Sequence, residues 1–140
     1  MYDLPTDTVC REALHSLVDH LSTSFLPAAD RNHNYFINEI PRDLNIEHNQ
    51  EWVASVISGM ISSAIQNTKN TCIRFSAKKY GHVLVLELRE AGRAKPLTDN
   101  RQLQQIKDIA EKLGGCLYVG SQEEERILMS FSFPNLPIAA

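Results

Sequence analysis

Three stretches of this chain repeat apolar residues at helical spacing, and five shorter runs alternate or cluster them as strands do. In the first stretch, Val9, Ala13, Leu17, Val18, Leu21 and Phe25 fall on one helical face. Pro5-Thr6-Asp7-Thr8 offers N-cap chemistry before it, and Pro27 is expected to stop it. The second stretch is the clearest. From about His48 it carries Trp52, Val53, Val56, Ile57, Met60, Ile61, Ala64 and Ile65, pairs that recur every four residues and predict a broad buried face. Trp52 is placed in the core. Gly59 in the middle of that helix costs about 1 kcal/mol relative to alanine, which suggests that it lets another backbone come close. Lys69-Asn70 ends the helix. The third stretch starts at a Thr98 or Asp99 cap, turns Leu103, Ile106, Ala110 and Leu113 inward, and ends at Gly114-Gly115 in a left-handed C-terminal turn.

Between these lie the strands. Asn34 to Ile40 reads as a short strand broken by Pro41-Arg42-Asp43. Ile73, Phe75 and Ala77 alternate with Cys72, Arg74 and Ser76, and a turn at Lys79-Tyr80-Gly81-His82 leads into Val83 to Leu88. That run is nearly continuous in apolar residues, as expected of a central strand. Ala91 to Leu97 is a loop with Gly92 and Pro96 as breakers. Cys116 to Val119 and Arg126 to Phe133 form a last hairpin, and Pro134 and Pro137 close the domain. The predicted order is α-β-α-β-β-α-β-β. Three helices cannot bury their stripes on one another and also cover five strands. The fold class that follows is α/β (α+β): a two-layer sandwich, a mixed sheet of about five strands with the three helices on one face.

Length changes the picture little: 140 residues make one domain, residues 1–140, with room for a real core. A net charge of −3 without a basic cluster gives nucleic-acid binding no electrostatic support. No run approaches the roughly 18 apolar residues of a membrane span. The start, MYDLPTDTV, lacks a signal-peptide pattern, so a cytoplasmic protein without membrane contact is expected. Cys10, Cys72 and Cys116 are odd in number and far apart, and are read as small buried hydrophobes.

Trp52 to Thr68 reads WVASVISGMISSAIQNT. It resembles the helix of histidine-kinase-type ATPases, the family shared with DNA gyrase B and the mismatch-repair ATPases, that carries the metal-binding asparagine. In the family this helix reads roughly L-x-N-L-L-x-N-A-I-K-Y-T. Three further pieces match in order. Val83 to Gly92, VLVLELREAG, is similar to the strand ending in the D-x-G box, whose aspartate meets the adenine amino group. Ile106 to Gly115, IKDIAEKLGG, is similar to the final helix and its Gly-Gly. Ser121 to Pro134 is similar to the last hairpin, S-x-x-G-x-G-T. Arg11 to Asp43 looks like the lead-in to such a domain, which in relatives follows other domains, so the chain reads as a possible piece of a longer sensor protein. The fold implied is the Bergerat type.

The departures carry the functional expectation. Gly59 and Ser63 stand at the two family asparagines, and serine is a shorter, poorer ligand for Mg²⁺. Glu90 stands at the adenine aspartate. Gly92 is kept, but Ala94 replaces the glycine after it. Asn100 and Gln102 replace the glycines whose backbone N–H groups approach phosphates at a helix N-terminus. Residues 93–99 leave almost no room for a nucleotide lid. Glu124, Glu125, Arg126 and Ile127 stand at the G-x-G-T positions, where acidic groups would repel a triphosphate.

Gly59, Ser63, Asn67, Glu90, Gly92, Asn100 and Gln102 thus mark a vestigial nucleotide pocket by resemblance, with no catalytic or metal-ligating residue assigned. The expectation is a degenerate domain, a pseudokinase that binds no cofactor and serves bacterial two-component signalling by docking a histidine kinase, a response regulator or a second copy. Its expected contact surface is the first helix or the former nucleotide groove. The alternative is a divergent but active ATP-binding domain of a sensor histidine kinase or anti-sigma-type kinase, using ATP and Mg²⁺, with Glu90 on adenine and Ser63 or Asn67 assisting the metal. A small-molecule sensor that reuses the pocket is the third reading.

Other chemistry is thin. His15 and His20 project about 140° apart on a helix and make no metal pair. They are read as solvated surface histidines, a phosphoacceptor role being the sharper alternative. His33, His48 and His82 stand in turn-like contexts with no ligand cluster. Glu123 to Glu125 reads as a solvated hairpin tip, or more sharply as a charged docking point.

Overall fold

The computed structural model of the protein describes residues 12–47, 49–90, 101–120 and 127–135. The helix-capping motif around Thr8, the loop from Ala91, the Thr98 or Asp99 cap and the glutamates of the last hairpin lie outside them.

Five strands form the main sheet: β2 (Tyr35–Asn38), β4 (Cys72–Tyr80), β5 (Val83–Glu90), β6 (Cys116–Val119) and β7 (Ile127–Pro134). Their spatial order is β2-β4-β5-β7-β6. β2 runs parallel to β4, and the other pairs are antiparallel. The parallel pair needs a crossover. It contains the long helix α3 (Gln50–Asn67). The β4–β5 hairpin turns at Gly81-His82, with Tyr80 opposite Val83.

β5 is central, as its apolar run suggested, but only one of its faces is deeply buried. Leu84, Leu86 and Leu88 are fully buried, whereas Val83 is exposed and Val85 half-buried. The helices cover the leucine side. Arg74, Lys78, Tyr80 and Tyr118 stand exposed on the other. The core joins Phe75, Phe131 and Phe133 of the sheet to Leu14 and Val18 of α1 (Leu14–Ser24), to Ile57, Met60 and Ile61 of α3, and to Leu103 and Ala110 of α4 (Arg101–Lys112). The two-layer sandwich with a mixed five-stranded sheet is therefore the observed architecture.

The structure departs from the sequence reading at several positions. The first helix begins at Leu14, because Glu12–Ala13 forms a short strand β1 paired with β3 (Asn45–Ile46). Pro27 does not stop the helical run. α1 ends at Ser24 with Phe25 as its cap, and Pro27 sits in the first turn of a further short helix, α2 (Leu26–Arg31), where its missing N–H costs nothing. The helices thus number four among the described residues. Trp52 is 46% exposed, on the flank of α3. Cys72 is buried as expected, but Cys116 is exposed beside Ser132.

Polar side chains tie the layers at their ends. Asn135 accepts from the Glu47 N–H (2.9 Å) and donates to the Asn45 carbonyl (2.7 Å), fixing the end of β7 to β3. His15 is buried rather than solvated, with Nδ1 3.6 Å from Asp19 Oδ2; Asn38 donates to the His15 carbonyl and to Asp19. His20 is exposed, as expected.

Candidate functional site

Of the residues singled out by resemblance, Gly59, Ser63 and Asn67 stand on α3, Gln102 on the first turn of α4 and Glu90 at the end of β5. α3 and α4 pack antiparallel along two rungs. At the first, Gly59 is buried against Ile106, so that a Cβ on Gly59 would collide with Ile106 Cγ2. The close neighbour is a side chain, not the backbone that the glycine suggested. At the second, four residues further along α3 and four back along α4, Ser63 Oγ donates to Gln102 Oε1 at 3.3 Å. Ser63 is fully buried. The residue at the expected metal position and the residue at an expected phosphate position are thus hydrogen-bonded to each other.

One turn on, Asn67 Nδ2 donates to the Ser63 carbonyl at 2.8 Å, a bond within α3 itself. The amide expected to assist a metal in the alternative reading is held along its own helix.

Glu90 is 4% exposed at the end of β5, and Thr71 Oγ1 donates to its Oε2 at 3.3 Å. Thr71 belongs to a buried polar chain. Its N–H donates to Asn34 Oδ1 (3.3 Å), and Asn34 Nδ2 donates to the Thr68 carbonyl (3.0 Å) and to Thr68 Oγ1 (2.9 Å). Thr68 Oγ1 in turn donates to the Ala64 carbonyl (2.8 Å) at the end of α3. Glu90 is therefore linked to the C-terminus of α3 by side chains that the sequence did not single out. Their only signal was position, polar residues flanking apolar runs. Gly92 and Asn100 lie outside the described residues.

Along the seam itself, a groove of about 570 Å³ runs between α3 and α4, with Ser55, Ser58, Gly59, Gln102, Gln105 and Ile106 among its lining residues. Its α3 side has no charged residue after Glu51. Among the described residues no group of three or more His, Cys, Asp or Glu side chains could hold a metal ion, and no helix is long and apolar enough to cross a membrane.

This architecture, a mixed five-stranded sheet with a helical layer on one face and a polar cluster between its long helix and its last helix, defines the class of fold. Structural comparison then places it. The chain superposes on the nucleotide-free catalytic domain of histidine kinase ThkA with a TM-score of 0.78 and 16% identity, covering 94% of this chain and 100% of that one. It matches histidine kinase AdeS of Acinetobacter baumannii with a TM-score of 0.76 and 11% identity, covering 93% and 68% of the two chains. ThkA solved in complex with the response regulator TrrA matches at a TM-score of 0.71 and 15% identity, covering 92% of this chain and 42% of that one. No known family's sequence profile matches the chain, and no curated protein does. At these identities the likeness establishes the fold, which is that of histidine-kinase catalytic (ATPase) domains.

Proposed function

We propose that this is a histidine-kinase-like ATPase domain whose nucleotide site has degenerated, and that it works as an interaction module in bacterial two-component signalling. Its partner is a histidine kinase or a response regulator. The observation that carries the reading is the hydrogen bond between Ser63 and Gln102. An octahedral Mg²⁺ needs several oxygen ligands with room for water and phosphate oxygens around it. Here the one side-chain oxygen at the expected metal position is buried and turned toward Gln102. Where relatives have a glycine that lets phosphates near the helix N-terminus, Gln102 brings a side chain into the same space. Glu90 keeps a carboxylate at the adenine position, yet it is engaged by Thr71 and almost out of solvent.

Support for a protein partner is structural. Histidine kinase ThkA, whose catalytic domain shares this fold, has been seen in complex with a response regulator. A domain that keeps the fold without the ligand chemistry still presents surfaces that a signalling partner can read.

The test is thermal unfolding with ATP, ADP and a non-hydrolysable analogue, with and without Mg²⁺. A ligand at about 100 times its dissociation constant adds roughly 2.7 kcal/mol of stability. The expected result is no shift at millimolar nucleotide. A clear Mg-dependent shift that disappears in Glu90→Ala would overturn the proposal and make the domain an active nucleotide-binding module.

A further inference from the structure

We propose that the outer edge of β6 is a self-pairing surface, through which two copies of this chain join their sheets about a two-fold axis at Tyr118. This surface is independent of the nucleotide site.

β6 is the last strand on one side of the main sheet. Its neighbour is β7, with Cys116 opposite Ser132, Tyr118 opposite Ser130 and Val119 opposite Met129. The Gly120 N–H donates to the Leu128 carbonyl at 2.9 Å, which makes those two residues a hydrogen-bonded pair. Such pairs alternate along an antiparallel ladder. Tyr118 and Cys116 therefore also turn their backbone groups to β7, while those of Leu117 and Val119 point away from the sheet. Among the described residues these outward N–H and C=O groups have no partner.

Edges are ordinarily guarded by lysine, proline, a bulge or a covering segment. β6 reads Cys-Leu-Tyr-Val, without charge or proline, and its register on β7 is unbroken. At the opposite edge, β2 is tied to α1 by Asn38, which donates to the His15 carbonyl and to Asp19. Tyr118 stands 56% exposed in the middle of β6, on the face of the sheet that the helices leave open.

These features select the occupant and the register. A second copy of the strand, running antiparallel, uses both outward residues when Leu117 of each copy meets Val119 of the other. Each of these reciprocal pairs then exchanges both of its N–H···O bonds. The axis passes through Tyr118, which faces its own copy in a non-hydrogen-bonded pair, the closer kind. Aromatic residues directly opposite each other stabilise a sheet, whereas like charges there oppose pairing. The same axis sets the last turns of α4 antiparallel to those of the second copy. On the flank of α4 opposite its groove-lining residues, Lys107 and Glu111 stand one turn apart, so the lysine of each copy faces the glutamate of the other. The two five-stranded sheets become continuous, with both helical layers on one side.

The axis supplies its own probe. Two residues opposite each other in a non-hydrogen-bonded pair lie within reach of a disulfide. Two copies of Cys116, each opposite Gly120 of the other chain, lie four positions apart, about 13 Å along the strands, and do not. Tyr118→Cys, made in a background with Cys10→Ser and Cys116→Ser, should oxidise to a covalent dimer several-fold faster than the Cys10→Ser protein, which keeps Cys116. With no substitution, sedimentation velocity from micromolar to millimolar concentration should show a reversible dimer. Tyr118→Lys, which sets like charges on the axis, and Val119→Pro, which removes an outward N–H that no bond within the fold uses, should each give a folded monomer. Tyr118 is exposed, so its replacement tests the edge even where proline unsettles the strand. A chain that stays monomeric at millimolar concentration would overturn the proposal and leave the edge to an extended segment of another protein. Equally fast cross-linking through Cys116, or a dimer that survives Tyr118→Lys, would overturn it as well.

Discussion

Replacing Gly59 with alanine should destabilise the domain, although helix propensity alone predicts the opposite. Alanine in place of glycine inside a helix gains about 1 kcal/mol. At this position the new Cβ would overlap Ile106 Cγ2 and lie 3.2 Å from Ile106 Cδ1. Cγ2 belongs to a β-branched side chain, which in a helix is held to one strongly preferred χ1 rotamer and cannot swing aside. Overpacking of a close-packed core costs about 1–3 kcal/mol, and an overlap this close belongs at the upper end. The net expectation is a loss of about 2 kcal/mol. Ile106→Ala alone should cost roughly 2–5 kcal/mol through the cavity it leaves. In the double variant the overlap is gone, the propensity gain returns, and the alanine methyl fills part of the cavity. The double variant should therefore be more stable than Ile106→Ala alone by about 1 kcal/mol, a coupling of about 3 kcal/mol between the two sites. Urea unfolding of the four proteins, with matching m-values, measures this cycle. A Gly59→Ala protein about 1 kcal/mol more stable than the wild type would refute the packing argument, because Ile106 could not then be seated in the notch.

Further outcomes follow from other parts of the fold. Gly115→Ala should prevent stable folding, since its Cβ would run into the β7 backbone, whereas Gly114→Ala (φ +86°) should cost only about 1 kcal/mol for a left-handed residue; thermal melts of the two separate these causes. Thr71→Val leaves one buried oxygen of Glu90 without that hydroxyl and should cost about 1–3 kcal/mol, read by urea unfolding. Burial pushes the Cys72 thiol above its ordinary range, with Arg74 pulling it down and Glu39 adding to the rise. The protonated thiol is thus favoured in the folded state. Its contribution to stability is fully present below the unfolded-state value and is lost as pH rises through the folded value. A Cys72→Ala variant should show less of this alkaline decline than the wild type. In the native protein, alkylation followed by mass spectrometry should modify the exposed Cys116 well before Cys72.

What the sequence made legible follows the strength of local patterning. α3 was readable because its apolar pairs repeat over eighteen residues, and α4 because a single stripe ends in Gly114-Gly115. The β4–β5 hairpin was readable from alternation and one glycine turn. The split between α1 and α2 was not, because a proline suits the first turn of a new helix as well as the end of an old one. The β1–β3 pair is two residues long and is set by tertiary contact, below what periodicity can register. Trp52 shares its spacing with core residues, and only the position of the neighbouring helices leaves it exposed. His15 lies on the same helix as exposed His20, and its burial against Asn38 is a long-range contact. At the candidate site, Ser63 and Gln102, both singled out by resemblance, stand side by side. That they would bond to each other, that Ile106 would fill the notch at Gly59, and that Thr71 and Asn34 would back Glu90 are contacts between distant segments, which no local pattern encodes.

The most direct measurement of the central claim is a two-dimensional nuclear magnetic resonance titration of the ¹⁵N-labelled protein with Mg-ATP to millimolar concentration. The account predicts that the amide signals of Ser63, Thr71, Glu90 and Gln102 stay in place, because the groups that would meet a nucleotide are already occupied by one another. Saturable shifts at those amides would contradict it.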